Sequence, residues 1–266
     1  MRACASALPR RGSAAMVLVL AAMALSACQS RTAGQLSPDP VNTASTSQAS
    51  LSDTVKLGDA WQKNPGDTRT GLAYVAALER IGQSDRQVEV LGKLASLHPE
   101  DGTVQALYGK KLLAAGDSGG AVTALEKAAS MQGATWQVQN ALGSAYDDQG
   151  QYAAAQAAYQ KALAMSPRQV QVLNNLGMSQ TLAGDLKSGE VTLRQALAQP
   201  NSGAYPKIRQ NLALAVGLQG RFDEARQIAS TDLPPDQVDA NMAYLQKMLA
   251  QPNTWQQLAS GTNPGN

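Results

Sequence analysis

Five glycines divide most of this chain at a nearly constant interval, and that interval constrains the fold more than any other feature. Gly82, Gly116, Gly150 and Gly184 follow one another at spacings of 34 residues, and Gly220 continues the series. Each glycine lies between two stretches whose apolar residues recur at helical spacing. Because glycine adopts the left-handed conformation that ends a helix at little cost, the spacing predicts a repeated unit of two helices joined by a tight turn.

The clearest unit is WQVQNALGSAYDDQGQYAAAQAAYQKALAMSPR, residues 136–168. Gly143 and Ala155 are small where its two helices are expected to press together, and Tyr159 is expected to fill the space between them. Pro167 closes the second helix, because a residue before proline disfavours the helical region. A 34-residue helix–turn–helix unit with this pattern is the tetratricopeptide signature.

Other units of the chain keep this pattern to different degrees. Residues 102–135 and 170–205 follow it closely. The 68–101 unit has Val75 and Gln87 where small residues are usual, so we expect its two helices to pack less closely. The sequence therefore predicts an all-α fold, a tetratricopeptide repeat α-solenoid in which antiparallel helix pairs form a right-handed superhelix stabilised by stacking of neighbours.

The repeats are expected to occupy residues 68–232, as about five units. The last of them departs from the pattern at Asp232, where alanine is usual. Residues 51–67 are interpreted as an N-terminal capping helix. Residues 233–266 are interpreted as a C-terminal capping helix, over 235–250, and a tail.

The N-terminal segment has the order of a bacterial targeting signal. Within residues 1–27, arginines precede an apolar core at 14–25, which is too short to span a bilayer comfortably. Small residues then lead to Cys28 in the sequence Leu-Ser-Ala-Cys. This ending resembles the lipobox of bacterial lipoproteins, which implies cleavage before Cys28 and lipid attachment to its thiol. The alternative is an ordinary signal peptide followed by a chance cysteine.

Cleavage before Cys28 changes the charge and the location expected for the chain. Residues 1–27 hold three of the 22 basic residues and none of the 20 acidic ones, so the formal charge falls from +2 to −1. The mature chain is then not basic, and we expect no nucleic-acid partner. Gln29 replaces the aspartate that retains lipoproteins in the inner membrane, which implies attachment to the outer membrane, facing the periplasm.

Residues 28–50 are expected to form the lipidated N-terminus and a disordered tether. They are rich in Ser, Thr, Gln, Ala and Pro and contain few bulky apolar side chains, so they cannot bury enough surface to offset the entropy of ordering. A flexible coil of this length reaches roughly 25 Å.

No residue pattern in the chain indicates catalysis. His98 is the only histidine and precedes Pro99 at a repeat junction, which favours a loop residue over a metal ligand or base. Asp147 and Asp148 are adjacent and diverge on a helix, so we interpret them as a solvated helix end. We expect no enzyme activity, no cofactor, no metal and no small-molecule substrate.

A tetratricopeptide solenoid instead offers a concave surface lined by the first helix of each repeat. The positions that commonly face it are rich in amides here, and amides both donate to and accept from an extended peptide. The predicted groove residues are Lys110, Gln137, Asn140, Ser144, Gln171, Asn174, Asn175, Met178, Gln210 and Asn211.

The stretch NLALAVGLQGRFDEARQIASTDLPPDQVDANMAYLQKML, residues 211–249, resembles the C-terminal region of the TadD-like tetratricopeptide lipoproteins. Those proteins belong to the Flp (tight-adherence) pilus assembly system. The resemblance implies a non-enzymatic outer-membrane scaffold that assists secretin assembly, with pilus-assembly proteins as partners and the secretin as first candidate. The alternative is an adaptor lipoprotein of another envelope machine, such as a scaffold for peptidoglycan hydrolases.

Overall fold

The structure, a computed structural model, describes residues 40–250, and for residues 40–49 it describes the backbone alone. The repeats lie in one compact unit, which begins at residue 47. The predicted lipid-attachment residue Cys28 lies outside the described residues.

The described chain consists of twelve α-helices and one short 3-10 turn, with no strand. In chain order the helices are α1 Pro40–Lys63, α2 Thr68–Arg80, α3 Ser84–Leu97, α4 Gly102–Ala114, α5 Ser118–Ser130, α6 Trp136–Asp148, α7 Tyr152–Met165, α8 Val170–Leu182, α9 Leu186–Leu197, α10 Lys207–Leu218, α11 Phe222–Ala229 and α12 Pro235–Ala250. The 3-10 turn spans Ser202–Ala204 between α9 and α10. Helices α2 to α11 form five consecutive pairs, and each helix packs on the next. This confirms the predicted solenoid.

Each of the five predicted glycine turns has the expected left-handed backbone, with φ between 70° at Gly150 and 88° at Gly184. After every one of them the next N–H bonds to the carbonyl five residues earlier, as from Gln151 to Tyr146 at 2.9 Å. This hydrogen bond satisfies a carbonyl that the end of the first helix would otherwise leave free. The same turn geometry therefore recurs in each of the five repeats.

The closest helix contact in the third pair lies at Gly143. A Cβ atom on this residue would come within 2.5 Å of the Tyr159 ring, and Tyr159 is only 1% exposed. Ala155, also predicted to be small for close packing, is fully buried. In the first pair Val75 and Gln87 are buried instead, and fewer residues of α2 and α3 approach one another closely than in the second, third and fourth pairs. Both expectations for the packing are confirmed.

The N-terminal helix begins earlier than predicted. Residues 28–50 were expected to be a tether without structure, yet α1 already starts at Pro40 and continues into the predicted capping helix. Proline suits a first helical position, since its missing N–H has no partner there. Residues 41–50 contain neither glycine nor proline, so the helix that packs through Trp61 on Tyr74, with ring centroids 6.0 Å apart, extends through them.

The C-terminal end of the array is covered as predicted. Helix α12 spans the expected residues 235–250 and buries Val238, Met242 and Leu245 in the core of the last repeats. The departure at Asp232 also has a structural role. Its carboxylate accepts two hydrogen bonds from Arg209, at 2.6 and 2.8 Å, and so ties the end of the fifth pair to α10.

Candidate functional site

Four asparagines from three repeats form a continuous chain of side-chain hydrogen bonds. Asn211 on α10 donates to Asn174 on α8 at 2.8 Å. Asn174 donates to its neighbour Asn175 at 3.2 Å, and Asn175 donates to Asn140 on α6 at 3.1 Å. All four side chains are half-buried. The predicted groove therefore contains an ordered row of amides, called here the amide chain.

The sequence places these asparagines together through the repeat itself. Asn140 and Asn174 are separated by one 34-residue period, and Asn175 and Asn211 occupy one position in successive units. The first helices of neighbouring repeats lie side by side, α6 against α8 and α8 against α10. An amide has two N–H donors and two acceptor lone pairs. Each amide of the chain therefore retains hydrogen-bonding capacity for a ligand.

A cavity of about 400 Å³ opens beside the amide chain. Its lining comes from α6, α8 and the junction that leads into α10. The lining residues are Asn140, Gln171, Asn174, Asn175, Ala204, Tyr205, Pro206, Lys207 and Ile208. Four predicted groove residues thus meet at one cavity, with a fifth, Asn211, bonded to its edge.

Sequence reasoning missed the part of the lining that comes from residues 204–208. These residues follow the 3-10 turn and precede or begin α10. The signal for them was the interval between Gly184 and Gly220, which is 36 residues and not 34. The two additional residues lie in the junction that carries Tyr205 and Pro206. The longer interval between the glycines was therefore the sequence feature that indicated an irregular junction at this position.

Four other predicted groove residues do not line the cavity. Lys110 lies on α4, Gln137 on α6, Met178 on α8 and Gln210 on α10, each at least partly accessible to solvent.

Ser144 takes part in a different network, around Asp147. The Asp147 carboxylate accepts hydrogen bonds from Tyr159 on α7 at 2.8 Å and from Ser179 on α8 at 2.6 Å. The Tyr159 hydroxyl also lies 3.2 Å from the Ser144 hydroxyl. The interpretation of Asp147 as a solvated helix end is therefore wrong. Its side chain joins the third repeat to the fourth.

Burial raises the pKa of Asp147 to about 6, although the hydrogen bonds from Ser179 and Tyr159 oppose the shift. Burial, with the nearby Asp147 charge, also raises the pKa of the Tyr159 hydroxyl, which stays protonated and donates. Among the groups that act on the carboxylate, the one with a formal charge is Asp148, which raises the pKa further. The carboxylate is therefore a half-buried acid without a cationic partner among the contacts described.

Replacing Asp147 by asparagine is expected to alter how stability depends on pH. The native pKa lies above the unfolded value, so the native state binds the extra proton between about pH 4 and 6. The wild type should therefore lose about 1–3 kcal/mol of unfolding free energy, relative to Asp147→Asn, as the pH rises through that window. Urea unfolding of both proteins from pH 4 to 7.5 measures the difference. The exposed Asp223→Asn serves as control, and parallel profiles for wild type and Asp147→Asn would contradict the account.

The other residues considered for a chemical role have structural contacts instead. The His98 Nε2 atom donates to the Gly66 carbonyl oxygen at 2.7 Å and so joins two successive repeat junctions. Within residues 40–250, no three His, Cys, Asp or Glu side chains are grouped so that they could hold a metal ion. In the same part of the chain no helix is both long and apolar enough to cross a membrane.

Sequence comparison identifies one repeat. A family profile described as "Tetratricopeptide repeat" matches residues 137–169, the unit that shows the pattern most clearly. No curated protein sequence matches the chain.

Solved structures with the same fold include three other repeat proteins. PilW, described as a widely conserved type IV pilus biogenesis factor, superposes with a TM-score of 0.60 at 18% identity, over 77% of this chain and 93% of its own. YrrB, described as a TPR protein with an unusual peptide-binding site, has a TM-score of 0.55 at 15% identity, over 72% and 97%. MamA from Desulfovibrio magneticus RS-1 has a TM-score of 0.55 at 15% identity, over 71% and 98%. These likenesses show a tetratricopeptide repeat fold.

Proposed function

We propose that the chain is a non-enzymatic lipoprotein scaffold that binds an extended segment of a pilus-assembly protein in its amide-lined groove. Cys28 is its lipid-attachment residue, and the outer membrane, on the periplasmic face, is its location. The observation that carries the proposal is the amide chain, which crosses three repeats and borders the cavity. Side-chain amides match the alternating N–H and C=O groups of an extended backbone.

The distribution of charge also favours an extended and largely uncharged ligand. The cavity lining contains four amide side chains and one charged residue, Lys207. Binding then depends on hydrogen bonds and apolar contacts, which salt screens little, and not on pairs of exposed charges. We therefore expect the affinity to change only modestly between low and physiological salt.

Two resemblances support a pilus-assembly partner. The ending over residues 211–249 resembles the TadD-like lipoproteins, and PilW, whose fold is similar, is described as a pilus biogenesis factor. The lipobox-like segment would place the groove near the membrane in which a secretin inserts. The secretin is thus the first candidate partner.

Replacing Asn174, Asn175 and Asn211 together by alanine is expected to weaken partner binding strongly while the fold is kept. The triple change removes every hydrogen bond of the amide chain, and each such bond to a ligand contributes roughly 0.5–1.5 kcal/mol. We expect an affinity loss of about 10-fold to 1,000-fold, measured by pull-down and titration with the captured partner. Alanine favours helix, so circular dichroism should be unchanged.

The matched control is Gln160→Ala, an exposed amide on α7 that is neither a predicted groove residue nor part of the cavity lining, and it should bind like the wild type. Full affinity in the triple variant would contradict the groove. Deletion of the gene tests the pilus role separately. If secretin multimers and surface pili remain at wild-type levels, the partner belongs to another envelope machine.

A further inference from the structure

The cavity beside the amide chain exists at one repeat junction that differs from the others. Nine residues, 198–206, separate α9 from α10, whereas four residues separate α3 from α4 and α7 from α8. The longer junction folds into the 3-10 turn and presents Tyr205 and Pro206 to the groove. The irregular junction therefore adds a local feature to an otherwise repetitive surface.

This junction and the first turn of α10 give the cavity an apolar side. Ala204, Tyr205, Pro206 and Ile208 all line it, and Ile208 is only 1% exposed, so it lies deepest among them. The Gln171 amide on α8 donates a hydrogen bond to the Tyr205 hydroxyl at 3.5 Å, and so joins α8 to the junction at the cavity. The cavity thus combines an apolar side from the junction with an amide side from α6 and α8.

The volume and the charge of the cavity restrict what it can hold. About 400 Å³ falls within the usual range for ligand pockets, roughly 300–1,000 Å³, and is sufficient for one large side chain with its backbone. No carboxylate lines the cavity, and Lys207 would repel a lysine or arginine side chain there. An acidic side chain would leave the apolar side without a partner.

We propose that this cavity is a specificity pocket for one bulky apolar side chain, aliphatic or aromatic, of the extended segment that the groove binds. This rests on the proposed function of the groove. The apolar side chain contacts Tyr205 and Ile208, and the peptide groups on either side of it bond to the amide chain. The repeats thus hold the ligand backbone, and the irregular junction selects its sequence.

A random peptide library tests the pocket directly. Purified full-length protein in detergent is immobilised, and a phage-displayed library of random twelve-residue peptides is selected on it. We expect the enriched peptides to align on one position occupied by Leu, Ile, Met, Phe, Tyr or Trp. A synthetic copy of the most enriched peptide should lose at least 10-fold in affinity when that residue is replaced by alanine.

Variants of the protein then connect that residue to the pocket. Tyr205→Ala should weaken the apolar peptide at least 10-fold and leave the alanine peptide almost unchanged. Ala204→Trp, at an exposed lining residue, should obstruct the cavity with the same result and provides a second test if Tyr205→Ala folds poorly. The matched control is Tyr244→Ala, an exposed tyrosine on α12.

The possible results distinguish the proposal of a specificity pocket from the proposal of peptide binding in the groove. Enrichment without an apolar position, or affinities that neither cavity variant changes, would overturn the pocket and leave the groove intact. If no peptide is enriched, or if the variant with Asn174, Asn175 and Asn211 replaced by alanine selects the same peptides equally well, the groove itself is overturned, and the pocket with it.

Discussion

Replacing Gly143 by leucine is expected to destabilise the protein by about 3 kcal/mol or more. Any Cβ at this position would meet three ring atoms of Tyr159 at 2.5 to 2.7 Å, and a buried ring next to Gly143 has little room to move. Overpacking of a close contact usually costs about 1–3 kcal/mol. Here the shift of Tyr159 would also disturb its hydrogen bond to Asp147.

Thermal unfolding measures this effect. For a chain of this size, 3 kcal/mol corresponds to a decrease in Tm of about 6–12 °C. Because neighbouring repeats stabilise one another, the loss should be observed in the main transition of the array and not as a separate local step. Gly119→Leu on α5 is the control, since a side chain there meets open space beyond Asp117, and its Tm should stay near that of the wild type. An unchanged Tm for Gly143→Leu would contradict the packing described for this helix pair.

Replacing Cys28 by serine is expected to abolish membrane attachment completely. If the Leu-Ser-Ala-Cys sequence is a lipobox, only the thiol at this position can take the lipid, and several acyl chains are needed for stable anchoring. Radiolabelled palmitate should be incorporated into the wild type and not into Cys28→Ser. The variant should fractionate with the soluble periplasmic proteins.

Cys4→Ser is the matched control, because Cys4 lies in the segment that cleavage would remove. It should label and fractionate like the wild type. Palmitate incorporation into Cys28→Ser, or a wild type found only in the soluble fraction, would favour the ordinary signal peptide over the lipobox.

The helices and their turns could be predicted from the sequence because the same turn signal recurs five times along the chain. The left-handed glycine recurs in all five pairs. In the second, third and fourth pairs a glycine at the helix crossing also meets a large residue, so the unit 136–168 describes its two neighbours. The capping helix over 235–250 followed from the same logic, since the last repeat needs a partner for its apolar face.

The parts that could not be predicted are those where the repeat fails or where burial depends on a neighbouring unit. The turn and side chains of residues 202–206 belong to a junction that has no counterpart between the other helices of residues 40–250, so the periodicity does not predict the position of Tyr205. Asp147 lies beside a second aspartate at the end of a helix, a sequence that is typical of a solvated helix end. In the structure its carboxylate accepts hydrogen bonds from Tyr159 and Ser179 on adjacent helices. The early start of α1 at Pro40 was also not predictable, because residues 40–50 show no apolar periodicity of the kind that indicates a helix.

Crosslinking in living cells tests the central proposal most directly. A photoreactive phenylalanine analogue is placed at Gln171, an exposed residue that lines the cavity, and in a second strain at Gln160, an exposed residue on α7. Irradiation should join the protein to a pilus-assembly component, the secretin first, from Gln171 and not from Gln160. The product should disappear when Asn174, Asn175 and Asn211 are replaced by alanine. Equal crosslinking from both positions, or a Gln171 product that persists in the triple variant, would contradict binding in the amide-lined groove.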